Sequence, residues 1–146
     1  MPIVLLALAA VMFGLYNVFI KLSADHIQAI LGAVVLQFVA AFVGVGLLFY
    51  MKHTEAIQIS ATAKGVWLAV AAGVAIGLVE ILTFIIYSRG VPVAVGNPLI
   101  IGGSLVVTTG IGVLLLRELL SPLQLFAIVL VIAGIGLLAF EAARNA

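Results

Sequence analysis

Residues 66–87 read VWLAVAAGVAIGLVEILTFIIY, twenty-two residues with a single charge, Glu80, and no proline. At 1.5 Å per residue a helix of this length covers about 33 Å, the thickness of the hydrocarbon core of a bilayer. The run is too long for a core strand and lacks the alternation of a transmembrane barrel strand. Its backbone must therefore bond to itself, as a helix does. Four further stretches have the same character, at 3–20, 27–50, 91–116 and 123–140. The whole chain is 66% hydrophobic and 8% charged, with a mean hydropathy of +1.48. These values lie far outside the range of soluble domains. The expected architecture is an all-α integral membrane protein of five transmembrane helices, forming one domain over 1–146. The expected location is the cell membrane, as a multi-pass protein, and the inner membrane in a bacterium. The opening residues Met1-Pro2-Ile3-Val4-Leu5-Leu6 have no basic n-region, and the apolar run outlasts a signal core, so it reads as a retained first span.

Connections follow from local chemistry. Ser121-Pro122-Leu123-Gln124 has the form of a capping box with proline at the first helical position, which predicts a tight re-entry into the membrane. Ser88-Arg89-Gly90 places a glycine where a helix closes in the left-handed region, and Pro92 can start the next helix. The one sizeable loop, 51–64, carries Lys52, His53, Thr54, Glu55, Gln58 and Ser60.

The six Lys and Arg residues divide evenly. If the N-terminal side of the membrane is side A and the other side B, Lys52, Lys64 and Arg117 fall on A, and Lys21, Arg89 and Arg144 on B. Orientation follows the Lys and Arg bias near span ends, so a tie leaves both insertions comparably favourable. A chance tie arises in roughly a third of chains with six charges, so the tie gains weight only beside a second consideration. Five helices hardly enclose a substrate cavity, whereas two inverted copies make ten helices around a pseudo-symmetric midplane site. An antiparallel homodimer with dual topology is the expected assembly; a parallel dimer or a pairing with another protein satisfies the same count.

Glu80 is the one ionisable residue deep in the membrane, about 12 Å from side B. A carboxylate at such depth costs on the order of 3 kcal/mol on insertion scales, which protonation or a partner relieves. Gly73 and Gly77 form a Gly-x-x-x-Gly pair close to the same face and predict helix packing there. In the next span Asn97 lies about 9 Å from side B, nearly level with Glu80. It is flanked by Gly96 and Pro98, which predict a helix break, because Pro98 offers no amide hydrogen to the carbonyl of Ala94. Asn97, Ile101, Ser104 and Thr108 then recur at helical spacing as a polar stripe. Tyr16, Asn17 and Gln37 add polar groups from the first two spans. The candidate substrate or proton site is therefore Glu80, Asn97, Tyr16, Asn17, Gln37, Ser104 and Thr108. Plainer readings compete: the hydroxyls can bond to their own helix, and the amides can be interhelical glue worth about 1 kcal/mol. Trp67 and Tyr50 read as interfacial anchors and His26 and His53 as solvated loop residues. No metal-ligand set, nucleophile–base pair or nucleotide-binding loop is present, so neither an enzyme, a metal or other cofactor, nor direct ATP coupling is expected. The net charge of +1 argues against a nucleic-acid surface, and the absence of cysteine excludes thiol chemistry.

Taken together, several segments resemble the EamA-like branch of the drug/metabolite transporter superfamily, in its short five-span form. They are Met12-Phe13-Gly14-Leu15-Tyr16-Asn17-Val18-Phe19-Ile20-Lys21, Gly77-Leu78-Val79-Glu80, Tyr87-Ser88-Arg89-Gly90-Val91-Pro92, Arg117-Glu118 with Ser121-Pro122-Leu123-Gln124, and Ala133-Gly134-Ile135-Gly136. Phe13 stands where many members carry tryptophan. The resemblance implies a secondary transporter or exporter of small metabolites or drugs whose longer relatives hold two inverted five-span repeats. It also implies that Glu118 matches a recurrent glutamate of that family; its position alone makes it an interfacial residue. The expected function is alternating-access transport of a small polar molecule by a homodimer, proton-coupled through Glu80 or facilitative. A flippase subunit for a lipid-linked headgroup and a non-transporting membrane scaffold are the alternatives.

Overall fold

The structure, a computed structural model, describes residues 2–55 and 60–144. It is all-helical over those residues, with five helices: α1 (Pro2–Ala24), α2 (Ala29–His53), α3 (Ala63–Ser88), α4 (Val93–Leu114) and α5 (Pro122–Arg144). All five are long and apolar enough to cross a membrane. Each of the five expected spans is a helix, and the helices extend beyond several of the apolar runs. Lys52 and His53 belong to the end of α2 and Lys64 to the start of α3, so the loop between them is shorter than expected. The Gln58 assigned to that loop lies outside the described residues.

Capping explains the boundaries. Thr62 accepts a hydrogen bond from the Gly65 amide at 3.1 Å and starts α3. Gln28 does the same for α2 through the Leu31 amide at 2.9 Å. Before α5 the Ser121 amide donates to Gln124 Oε1 at 2.8 Å and the Gln124 amide to Ser121 Oγ at 3.2 Å, the reciprocal pair expected from sequence. After α3, Gly90 adopts φ +88°, the left-handed conformation that only glycine takes without strain. Pro92 is the N-cap of α4 rather than its first residue.

The chain divides into two compact units, Met1–Gly90 and Val91–Ala146. In the first, α3 is the central helix and packs against both α1 and α2, which touch each other much less. Its buried residues cluster toward side B: Asn17, Ile20 and Ala24 on α1, Gly32 and Ala33 on α2, and Glu80, Thr83, Phe84 and Tyr87 on α3. The opposite halves of the three helices present large apolar side chains outward, such as Leu5, Phe42 and Trp67, as a surface in contact with lipid does. In the second unit α4 packs on α5. A Cβ on Gly102 would overlap the side chain of Ile135, so this glycine sets how closely the two helices approach.

Gly32 plays that part between α2 and α3, since an added Cβ would stand 2.6 Å from the Phe84 ring, which is itself buried. Gly32→Ala is expected to lower unfolding stability in detergent titration by about 1–3 kcal/mol through overpacking. Gly32→Ala with Phe84→Leu should recover most of that loss; an equal loss in the double variant would place the strain elsewhere.

Candidate functional site

The site in the first unit grows from one face of α3. Glu80, Thr83, Phe84 and Tyr87 fall at i, i+3, i+4 and i+7, and all four are buried. Thr83 satisfies its hydroxyl within the helix, donating to the Val79 carbonyl at 2.8 Å. Glu80 does not turn to its own helix: the Tyr16 hydroxyl of α1 donates to its Oε2. The Tyr16 ring is in turn stacked on Phe13, with centroids 5.4 Å apart. Two turns along α3 toward side B, the Tyr87 hydroxyl donates to Asn17 Oδ1 at 3.4 Å, and Asn17 Nδ2 donates to the Phe13 carbonyl at 2.9 Å. Lys21 closes the seam by donating from Nζ to the Tyr87 carbonyl at 2.9 Å, a cation on the C-terminal end of a helix, where the dipole favours it. Four polar contacts thus run along α1 and α3 from mid-membrane to the surface on side B.

Three of the candidate residues therefore lie along one seam between α1 and α3, Tyr16 and Glu80 as a bonded pair and Asn17 bonded to Tyr87. Gln37 is placed differently. It is exposed on α2, with its amide group against Gly77, where an added Cβ would lie 3.4 Å away. A Cβ on Gly77 would thus meet the Gln37 amide at ordinary contact distance, and the Cβ position of Gly73 has open space around it.

In the second unit α4 continues through Gly96 and Pro98 to Leu114. The expected helix break is therefore absent. Pro98 is the sixth residue of α4, and losing one bond near a helix start interrupts less than losing one in its middle. Asn97 Oδ1 is buried and has no hydrogen-bond partner among the described residues. Ser104 donates to the Ile101 carbonyl at 2.7 Å and Thr108 to the Ser104 carbonyl at 2.9 Å, so both hydroxyls serve their own helix. At the end of α4, Arg117 takes φ +56° and the Glu118 amide returns to the Gly112 carbonyl at 2.9 Å. This fold of the chain lays the Glu118 carboxylate over Gly112. With Thr108, Thr109, Val113 and Leu120 it lines a small cavity of about 200 Å³.

A larger cavity of about 700 Å³ lies between α1 and α2, with Phe84 of α3 as part of its lining. Its walls include Leu15, Phe19, Val35 and Leu36, with Tyr16 and Ser23 as the polar members. Along α1 it extends from Met12 to Ser23, about 16 Å of helix.

Tyr87 and Lys21 belong to the seam between α1 and α3 without having been assigned to it from sequence, and Thr83 shares the same face of α3 while bonding to its own helix. The spacing of 80, 83, 84 and 87 was the available signal for Thr83 and Tyr87. Lys21 enters the sequence reading as a topology charge and as the last residue of a segment that carries the resemblance, not as a partner of α3. No protein-family model, curated protein or solved structure matches the chain.

A double-mutant cycle of Tyr16→Phe and Glu80→Gln, read as unfolding free energy in mixed micelles, should give a coupling of about 1 kcal/mol, typical of interhelical bonds in membranes. Additive losses would mean that the pair contributes nothing to holding α1 on α3.

Proposed function

We propose that the chain is a secondary transporter or exporter of a small polar or cationic metabolite or drug, with Glu80 as the group that exchanges proton for substrate. The observation that carries this reading is an acidic side chain, 3% exposed, set about 12 Å into a transmembrane helix and met by one tyrosine hydroxyl. Intramembrane acids are costly and mark ion or substrate pathways. Tyr16 fits a holding role: its hydroxyl bonds the carboxyl, and a ligand takes its place. The resemblance to short EamA-like transporters supports the same choice.

The working unit in this proposal is an antiparallel homodimer inserted in both orientations, with alternating access arising from rocking of the two copies. The even division of Lys and Arg supports it. Because the chain has no cysteine, single-cysteine variants test orientation cleanly. Ser60→Cys on side A and Ser88→Cys on side B should each be labelled from outside intact cells in roughly half the copies, as a tied charge count requires. Labelling of one variant only would mean a single orientation.

The functional test is proton release from purified, reconstituted protein on adding amino acids, polyamines, sugars or lipophilic cations, comparing wild type with Glu80→Gln at equal oligomer stability. Release confined to wild type is the expected result and identifies the substrate class. Silence from both proteins would end the case for coupling at Glu80 and favour facilitated flux, lipid flipping or a scaffold.

A further inference from the structure

The two interfaces of α3 are built from different chemistry. Against α2 the contact is steric, with the Phe84 ring lying on the bare surface of Gly32. Against α1 it is polar: Tyr16 bonds Glu80, Asn17 bonds the Tyr87 hydroxyl, and Lys21 bonds the Tyr87 carbonyl. Parting a steric interface forfeits its van der Waals contacts, and nothing replaces them. Parting a polar one from the surface inward admits water, which bonds to each group released. The α1–α3 seam is therefore the interface of this unit that can open to the aqueous phase, and it leads from side B to Glu80. Ile20 and Ala24 recur with Asn17 on one face of α1 and are buried as it is, so the seam as it stands is shut.

The bonds along it are unequal. Tyr87 meets Asn17 at 3.4 Å, well beyond the usual O–H···O separation of about 2.7–2.8 Å. Lys21 meets the Tyr87 carbonyl at 2.9 Å, and this bond is charge-assisted and lies at the negative end of the α3 dipole. The same carbonyl accepts the Gly90 amide at 3.1 Å, so Lys21 ties α1 to the point where α3 turns out of the membrane. Of the three α1 residues it stands nearest side B, where water reaches the seam first.

We infer that the α1–α3 seam is the side-B gate of the Glu80 site and that Lys21 is the positioning residue that holds it shut. Opening gives the Lys21 ammonium and the Tyr87 carbonyl to water first, then Asn17 and the Tyr87 hydroxyl, and the Tyr16–Glu80 pair last. The inference rests on Glu80 being the proton- and substrate-binding group and adds the route by which that group meets the side-B solution.

The test measures water in the seam as the rate at which a permanently charged thiosulfonate labels a single cysteine in the detergent-purified protein, since the thiolate is the form that reacts. The chain has no cysteine of its own. Thr83→Cys sets the reporter between Glu80 and Tyr87 on the buried face of α3, and Ala33→Cys, equally buried on α2, is the control. Lys21→Met should speed labelling at Thr83→Cys roughly tenfold or more, the equivalent of one charged hydrogen bond, and leave Ala33→Cys unchanged. Lys21→Arg, which keeps a cationic donor, should retain the slow rate, and Tyr87→Phe, which removes only the longer bond, should speed labelling less than Lys21→Met does. Ala24→Cys repeats the measurement from α1 if Thr83→Cys does not fold. An unchanged rate in Lys21→Met overturns the gate. A parallel rise at Ala33→Cys overturns it too, because the whole unit would then have loosened, and Lys21→Arg labelling as fast as Lys21→Met removes the positioning role of the charge. No substrate is added, so either failure leaves the Glu80 reading standing, whereas that reading falls only on silence in the proton-release experiment.

Discussion

A carboxyl group in the hydrocarbon layer has no water to bond to, and the packing of the first unit is arranged around meeting that need. Tyr16 reaches from α1 to Glu80, which requires α1 to lie against α3 in one rotational setting. The same setting brings Asn17 to Tyr87 and Lys21 to the end of α3. Interhelical hydrogen bonds in membranes average well under 2 kcal/mol each, so the contacts matter through their number and their common direction. Between α2 and α3 the device is different. Gly32 offers a surface without a side chain, and Phe84 occupies it.

Hydropathy made the five helices legible, because lipid leaves the backbone no alternative partner. Local chemistry made the turns legible: the Ser121 and Gln124 reciprocal bonds and the left-handed Gly90 depend on residues a few positions apart. The partner of Glu80 was not legible. Tyr16 lies 64 residues away, and nothing in a single sequence chooses it over Asn17 or Gln37. Pro98 misled for a related reason. Its missing amide is a local fact, but whether a helix breaks depends on how near the end the gap falls, and α4 absorbs it within its first turns. Ser104 and Thr108 read as a stripe facing a pathway, whereas their hydroxyls return to α4 itself.

The second unit holds its polar groups by other means. Glu118 is folded back on Gly112 by a left-handed Arg117, and Asn97 keeps a buried oxygen without a partner among the described residues. An unmet acceptor in a buried position is strained relative to one that is bonded. This unit therefore retains capacity for a donor that the Tyr16–Glu80 pair, already matched within its own unit, lacks until the tyrosine moves.

The clustering of buried residues toward side B gives the first unit the mechanics of a lever. α3 is 26 residues long, about 39 Å from end to end. The buried residues of α3 lie between Glu80 and Tyr87, and the halves of the three helices toward side A carry large exposed apolar side chains. A tilt of about 10° pivoting at Glu80, the inner edge of that buried stretch, carries the start of α3, about 25 Å away, through about 4 Å. Small rearrangements where Tyr16 meets Glu80 are in this way enlarged at the opposite membrane surface.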